Sequence, residues 1–309
     1  MNTINKTLIA FENKEIGKPE FIAEMYLKHH SKLFEYSKHL DKTNIKKIEI
    51  ENGQVLFTSR DRGVRMYGVP GDFRIAPIET LNFFDYEKDD SEMLQSLVSD
   101  GDVVLDVGAN MGWYSINLAL THRSAKIHAF EPIPTTYRWL EKNVGINGVS
   151  NVEIHNFGLS NKSGTFDFYS YPEGSGNASA ENLSGRSDAI ISECRLITLD
   201  KFRSEYREPI DFIKCDVEGG ELLVFQGGKE TIQNDLPIVF SEILRKWSAK
   251  FNYDPNEIFQ FFGALKYQAF TVKNGGLFPF ETMNEDTLET NFFFLHQIKH
   301  AALIQRFAS

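Results

Sequence analysis

From residue 103 onward, hydrophobic positions fall in short β-branched or aromatic runs, separated by longer stretches that place apolar residues at three- and four-residue steps. The runs predict strands at 103–107, 126–130, 152–157, 210–215 and 237–243, with shorter pieces near 165–169 and 195–198. Strands that alternate with helical segments make a parallel sheet, because each crossover returns the chain to the same edge and lays a helix on one face or the other. After the fifth main strand come a helix near 255–263 and a strand near 267–272. Asn291-Phe292-Phe293-Phe294-Leu295-His296 then follows without an intervening helix, so this last strand is expected to be antiparallel. The pattern predicts an α/β fold built on a seven-stranded, mostly parallel sheet.

The first part of the chain reads differently. Ile22, Tyr26, Leu33, Tyr36 and Leu40 stand at helical steps within 18–40 and predict an amphipathic helix. Ile48-Glu49-Ile50 and Val55-Leu56-Phe57 flank Asn52-Gly53, a strong hairpin signal. Residues 68–86 are irregular and rich in Pro, Gly and aromatics, and Asp89-Asp90-Ser91 offers capping groups for a helix through Leu97. A boundary is therefore placed near 88: residues 1–88 form a smaller helix and β-hairpin region expected to cap the acceptor side, and 89–309 form the sheet domain. Residues 170–192, whose stretch 171–190 holds four Ser, three Gly and few apolar side chains, are read as a long lid or binding loop, with Arg186 available to an anionic acceptor. Tyr67, Phe73, Phe83, Phe84 and Tyr86 either wall that acceptor pocket or pack between the two parts of the chain.

Charge and cysteine content narrow the function. The net charge of −10 argues against sequence-independent binding of nucleic acid, which needs phosphate-neutralising Lys and Arg. The first 90 residues hold 14 basic and 15 acidic side chains, leaving 19 against 28 in the rest, so the negative excess belongs to the sheet domain. Cys194 and Cys215, with no Cys/His cluster at zinc-ligand spacing, predict neither a disulfide framework nor a structural zinc. The absence of 18 consecutive apolar residues or an apolar leader predicts a cytoplasmic protein with no membrane span.

The chemistry concentrates at the strand ends. Val103-Val104-Leu105-Asp106-Val107 runs into Gly108-Ala109-Asn110-Met111-Gly112, a turn where glycines let a ligand approach the backbone at the carboxyl edge of the sheet. Asp106 and the missing third glycine depart from a pyrophosphate loop; the carboxylate suits a cationic ligand group instead. Glu131 follows the second strand 19 residues after Gly112, where a carboxylate can accept both hydroxyl protons of a ribose. Asn156, Phe157 and Gly158 end the third strand where an adenine could lie. Asp216 ends the strand 210–215, and Glu242 ends the strand 237–243 on the same sheet edge. Two such carboxylates can deprotonate a hydroxyl or hold Mg²⁺ that lowers its pKa. Glu218 and Glu221 open the next helix and are either active-site groups or charges favourable to its dipole. Lys214 is read as the ammonium partner of one of these acids, and His155 and His296 as structural strand residues.

Leu105-Asp106-Val107-Gly108-Ala109-Asn110-x-Gly112, Phe130-Glu131-Pro132, Asn156-x-Gly158-Leu159-Ser160, Thr198-Leu199-Asp200 and above all Ile213-Lys214-Cys215-Asp216-Val217-Glu218-Gly219-Gly220-Glu221 occur in that order. In these motifs the chain resembles the FkbM-type family of class I S-adenosylmethionine-dependent methyltransferases, over roughly residues 88–297. The resemblance implies a Rossmann-like sheet with helices on both faces, S-adenosylmethionine as cofactor, and methyl transfer to a hydroxyl of a sugar, glycan or other polar natural product. Together with the strand-end positions above, the cofactor is expected against Asp106, Gly108, Ala109, Asn110, Gly112, Glu131, Pro132, Asn156, Phe157 and Gly158, and catalysis on Asp216, Glu218 and Glu242. Two rival readings stay open: an NAD-dependent sugar-modifying enzyme, which the incomplete glycine run disfavours, and a non-catalytic glycan- or partner-binding module on the same fold.

Overall fold

The structure, a computed structural model, describes residues 3–171 and 173–308. Strands β1 (Ile45–Glu51), β2 (Gln54–Ser59) and β3 (Arg65–Tyr67) form an antiparallel sheet. Asn52 and Gly53 make the first turn, both in the left-handed region (φ 52° and 73°). Before it, helices Lys18–Met25 and Ser31–Leu40 run on through a π-turn at Tyr26–His30. The helix is where the sequence pattern puts it, but its apolar stripe is not covered. Ile22, Tyr26, Leu33 and Tyr36 are exposed, and only Leu40 joins a small cluster, with Ile45, Phe57 and Leu81.

The main sheet is built from β4 (Val103–Val107), β5 (Lys126–Phe130) and β6 (Val152–His155) on one side. A second, four-stranded sheet follows in the chain: β7 (Gly158–Leu159), β8 (Gly164–Tyr171), β9 (Gly174–Ser179) and β10 (Ile190–Ile197), in the order β7-β10-β8-β9. The main sheet resumes with β11 (Phe212–Cys215), β12 (Ile238–Glu242), β13 (Tyr267–Lys273), β14 (Gly276–Phe280) and β15 (Asn291–His296). Its order is β14-β13-β15-β12-β11-β4-β5-β6. The five strands β12, β11, β4, β5 and β6 are parallel, and β15 lies antiparallel between β12 and β13. The α/β, mostly parallel architecture with an antiparallel last strand is thus as the pattern predicts. The sheet carries one strand more than predicted, because Asn274-Gly275 (φ 51° and 75°) turns β13 back on itself as β14.

Residues 170–192 also differ from expectation. Half of its described residues are strand, paired β8 to β9 and β8 to β10, and the irregular part lies between β9 and β10. Its Ser, Gly and Asn content concealed strands whose backbone hydrogen bonds do the holding.

Successive residues of the parallel strands go to opposite faces. Val103, Leu105 and Val107 of β4 join Phe130, Phe202, Ile213 and Phe225 on one face. Val104 joins Leu94, Ile116, Ile127 and Phe212 on the other, and there Val64, Met66, Ile75 and Ala76 from the first 88 residues share the same core. The amide side chains of Asn143 and Asn147, on helix Pro134–Asn147, secure that junction by bonding the backbone of Tyr67 and Arg65.

Candidate functional site

Strand β4 has β5 on one side and β11 on the other, so the chain leaves it in opposite directions and a crevice opens at its carboxyl end. A cavity of about 800 Å³ occupies this crevice. At its floor the turn after β4 meets the loop after β11 backbone to backbone: a Cβ on Gly108 would lie 1.8 Å from the Asp216 carbonyl oxygen, and Gly108 itself has φ 77°. Only glycine fits there. Gly108, Ala109, Asn110 and Met111 line the cavity. Gly112 lies beyond it, starting helix Trp113–Thr121 at φ 90°, with Leu140 where a Cβ would go.

Glu131 stands at one end of the cavity, 6% exposed. One carboxylate oxygen accepts the Ile133 N–H at 2.9 Å and the other the Asn110 N–H at 3.1 Å. Burial pushes its pKa up to about 7 against the pull of these two donors. Pro132, Ile133, Gly158, Leu159, Phe168 and Leu196 make the adjoining, mostly apolar wall.

Besides Gly112, three residues with expected cofactor contacts stand outside the cavity lining, and two of them, Asn156 and Asp106, support residues within it. Asn156 donates its amide to the carbonyls of Glu131 (3.0 Å) and Pro132 (3.2 Å), holding that strand end in place. Phe157 packs on Phe130 under the Arg195 guanidinium. Asp106 is buried, and its carboxylate faces Lys214 Nζ at 3.2 Å and accepts from the Ser115 hydroxyl at 2.6 Å. The cation it meets is therefore the protein's own.

Lys214 ties the floor together: its ammonium donates to the Gly108 carbonyl at 2.7 Å and reaches Asp216 at 3.5 Å. Burial lowers its pKa, but the charges of Asp106 and Asp216 outweigh that and move it upward, so the ammonium stays charged. Asp216, Glu218 and Glu242 meet at the other end of the cavity, with carboxylate oxygens within 4.8 Å of one another. Burial first, then the Asp216 and Glu218 charges, raise Glu242 to about 10. Burial and the charges of Asp216 and Glu221 likewise raise Glu218 well above the carboxylate range. Glu218 and Glu242 therefore favour their protonated forms, as buried, closely spaced carboxylates do. Glu221 takes a structural position, accepting the Val217 and Gly219 N–H groups and the Tyr253 hydroxyl.

Sequence reading missed Glu87. It joins the same cavity, is raised to about 7 chiefly by burial, and accepts a hydrogen bond from the Tyr114 hydroxyl. Glu87, Asn110 and Glu218 all have positive φ (43°, 48° and 54°), a conformation that costs a non-glycine residue energy and gathers at functional sites. Glu87 was hidden because it stands two residues before Asp89-Asp90-Ser91, a run readable as helix caps. The cover comes from two places: Arg74, Glu79, Phe83 and Tyr86 before β4, and Ser175, Gly176 and Ala178 of β9. Ser175 N–H bonds Asp72, and the Ser179 hydroxyl bonds the Glu218 carbonyl, so β9 is fixed across the opening. Arg186 is not free for an anion: it pairs with Asp188 and Glu173 and stacks on Tyr171.

The family model described as methyltransferase FkbM domain matches residues 106–269, more than half of the chain, and the chain belongs to that family. It is 30% identical over 157 residues to methyltransferase sdnD of Sordaria araneosa, covering 41% of this chain and 60% of that protein. It is 32% identical over 147 residues to the 2-O-methyltransferase NoeI of Sinorhizobium fredii, covering 42% and 58%, and 28% identical over 149 residues to the hexuronic acid methyltransferase AglP of Haloferax volcanii, covering 48% and 59%. The chain thus spans about three fifths of these relatives' length. Among solved structures, methyltransferase FkbM from Methylobacillus flagellatus aligns over 64% of this chain and 44% of its own, at 15% identity and TM-score 0.42. Among the described residues no helix is long and apolar enough to cross a membrane.

Proposed function

We propose that this protein transfers a methyl group from S-adenosylmethionine to a hydroxyl of a polar acceptor such as a sugar or glycan. The observation that carries the reading is the division of one cavity into a cofactor-like end and an acidic end. Glu131, fixed by two backbone N–H groups, keeps carboxylate lone pairs for a ribose diol. The wall of Ile133, Leu159, Phe168 and Leu196 suits an adenine, and the Gly108–Met111 turn suits the amino-acid end. When bound, the cofactor supplies an electrophilic methyl group on a sulfonium. The chain's part is to align the acceptor and take its proton. Asp216 is the base in this reading: Lys214, 3.5 Å away, orients its carboxylate, while the proton-holding Glu242 and Glu218 beside it bind the acceptor's polar edge. Residues 1–88 and β9 provide the acceptor-side cover.

The names of NoeI and AglP point to polar acceptors for those proteins, which supports a similar class here. A second reading of the acidic end has its own support: three carboxylates within 4.8 Å could take a divalent cation. Calorimetry with S-adenosylmethionine, S-adenosylhomocysteine and NAD, followed by transfer of labelled methyl to a panel of saccharides, tests the proposal. Binding of the first two and label in a saccharide hydroxyl are expected; binding of NAD alone would refute it. Activity lost to a chelator and restored by Mg²⁺ would assign the acids to a metal, and indifference would assign Asp216 as a plain base.

A further inference from the structure

Strands β5 and β6 pair in parallel with His128 opposite Glu153 and Phe130 opposite His155. Because alternate residues share a face, His128, Glu153 and His155 all project from the same side of the sheet. None of them lines the cavity described above. The His128 Nδ1 and His155 Nε2 atoms face each other at 3.0 Å, and the Glu153 carboxylate oxygens lie 3.6 Å from the first and 3.9 Å from the second.

We propose that His128, His155 and Glu153 form a binding site for a zinc-class divalent ion. A tetrahedral zinc with ligand bonds of about 2.0–2.1 Å separates its ligand atoms by roughly 3.3–3.4 Å. The three separations here straddle that value, so small side-chain rotations bring all three atoms onto one ion. Two imidazoles and one carboxylate form a ligand set that zinc favours over Mg²⁺ or Ca²⁺. The site is also walled and open in the required places. Phe202 and Tyr206 pack edge-on against the His128 ring and Phe130 stacks on His155, which fixes both rings. His128 is buried and Glu153 is 67% exposed, so the ion enters from the solvent side of the edge strand. Burial lowers the pKa of both imidazoles, His128 to about 4, and so favours the neutral form that binds metal. An ion there would cross-link the edge strand β6 to β5. The His155 carbonyl already accepts the N–H of Glu131, so the clamp would brace the strand end that presents that carboxylate.

The test is titration of the full chain with Zn²⁺ by calorimetry, and with Co²⁺ read by its visible absorption. One ion per chain at this site is expected, with the intense visible bands of tetrahedral cobalt and a rise in melting temperature. His155→Ala should abolish the bands. Glu153→Gln, a change at an exposed position that leaves folding intact, should weaken Zn²⁺ binding at least about tenfold through loss of one ligand. An Asp216→Asn/Glu242→Gln double variant should keep both the bands and the affinity. The proposal fails if the wild-type chain binds no Zn²⁺ saturably. It also fails if binding survives both His155→Ala and Glu153→Gln, or if it disappears in the Asp216/Glu242 variant, which would place the ion at the acidic end of the cavity.

Discussion

The two ends of the cavity use the same functional group in opposite ways. Glu131 is a single carboxylate held by backbone N–H donors, and those donors belong to the turns that end β4 and β5. Asp216, Glu218 and Glu242 are instead crowded against one another, with Lys214 beside Asp216, while Glu87 lines the same cavity under the Tyr114 hydroxyl. A carboxylate whose donors are fixed has a defined direction and a neutral partner to seek, which suits recognition. Burial first, and then mutual repulsion, hold protons on Glu218 and Glu242 at neutral pH beside Asp216, which suits chemistry.

The largest effect is expected at the acidic end. Asp216→Asn keeps the shape and removes the charge, and turnover should fall at least about 100-fold, the lower range for loss of general-base help, while S-adenosylhomocysteine affinity changes little. Single-turnover rates and calorimetry on the same preparation check the split; a fully active variant would remove Asp216 from the reaction. At the other end, Glu131→Ala should weaken S-adenosylhomocysteine by about 1.5–3 kcal/mol, the scale for losing charge-assisted hydrogen bonds. Unchanged affinity would dismiss Glu131 as a ribose contact.

A pH experiment sharpens the contrast. With Glu131 raised to about 7 in the free protein, a ligand that needs its charged form must first displace a proton. S-adenosylhomocysteine affinity should therefore rise by up to about tenfold per pH unit below 7 and level off above it. The slope should vanish in Glu131→Gln; a slope retained there would assign the proton to another group.

The smallest effect concerns stability. A carboxyl whose folded pKa is raised binds its proton more tightly when folded, so its contribution is lost as pH climbs from the ordinary value through the folded one. For Glu242 that window runs from its ordinary 4.5 to about 10. His128 and His300, both lowered to about 4 by burial, act in the other direction, stabilising as pH rises from 4 to their ordinary 6.5. Above pH 6.5 the histidine contributions are complete and the acids prevail. The ligand-free protein should therefore melt at progressively lower temperature as pH rises above 6.5, through Glu242 first of all. Glu242→Gln should flatten that decline in thermal melts between pH 6.5 and 9; an identical slope would mean that Glu242 is ionised throughout.

The cofactor-like end was more legible in the sequence than the acidic one. Glu131 and the Gly108–Met111 turn are joined by a strand, a helix and a strand of ordinary length, so their meeting follows from local periodicity and the geometry of one crossover. Asp216 and Glu242 could be placed on a common sheet edge by the same rule. Glu87 could not, since its approach depends on how residues before β4 pack over helix Trp113–Thr121, where Tyr114 receives it. Asp106 shows the converse limit. Its position at a strand end was read correctly, but strand periodicity does not say that Lys214 of the neighbouring strand β11 would claim its carboxylate.

Composition misled where it stood in for pairing. The Ser- and Gly-rich segment 170–192 lacks the apolar alternation of a half-buried strand, yet β8 and β10 supply backbone partners, and hydrogen bonding needs no particular side chain. Asn274-Gly275 carries the same turn chemistry as Asn52-Gly53 and makes the same kind of hairpin; it went unread because Leu277, Phe278 and Phe280 are interrupted by Pro279.

The sequence by itself determined the α/β class, the order of the parallel strands' motifs and the residues at their carboxyl ends, because strand and helix periods and glycine's conformational range act over a few residues. Only the tertiary structure decided which of those carboxylates face the cavity, which are neutralised by the protein's own cations and which share protons. Those outcomes depend on distances of a few ångströms between side chains remote in the chain, and on how much water the packed core excludes from each.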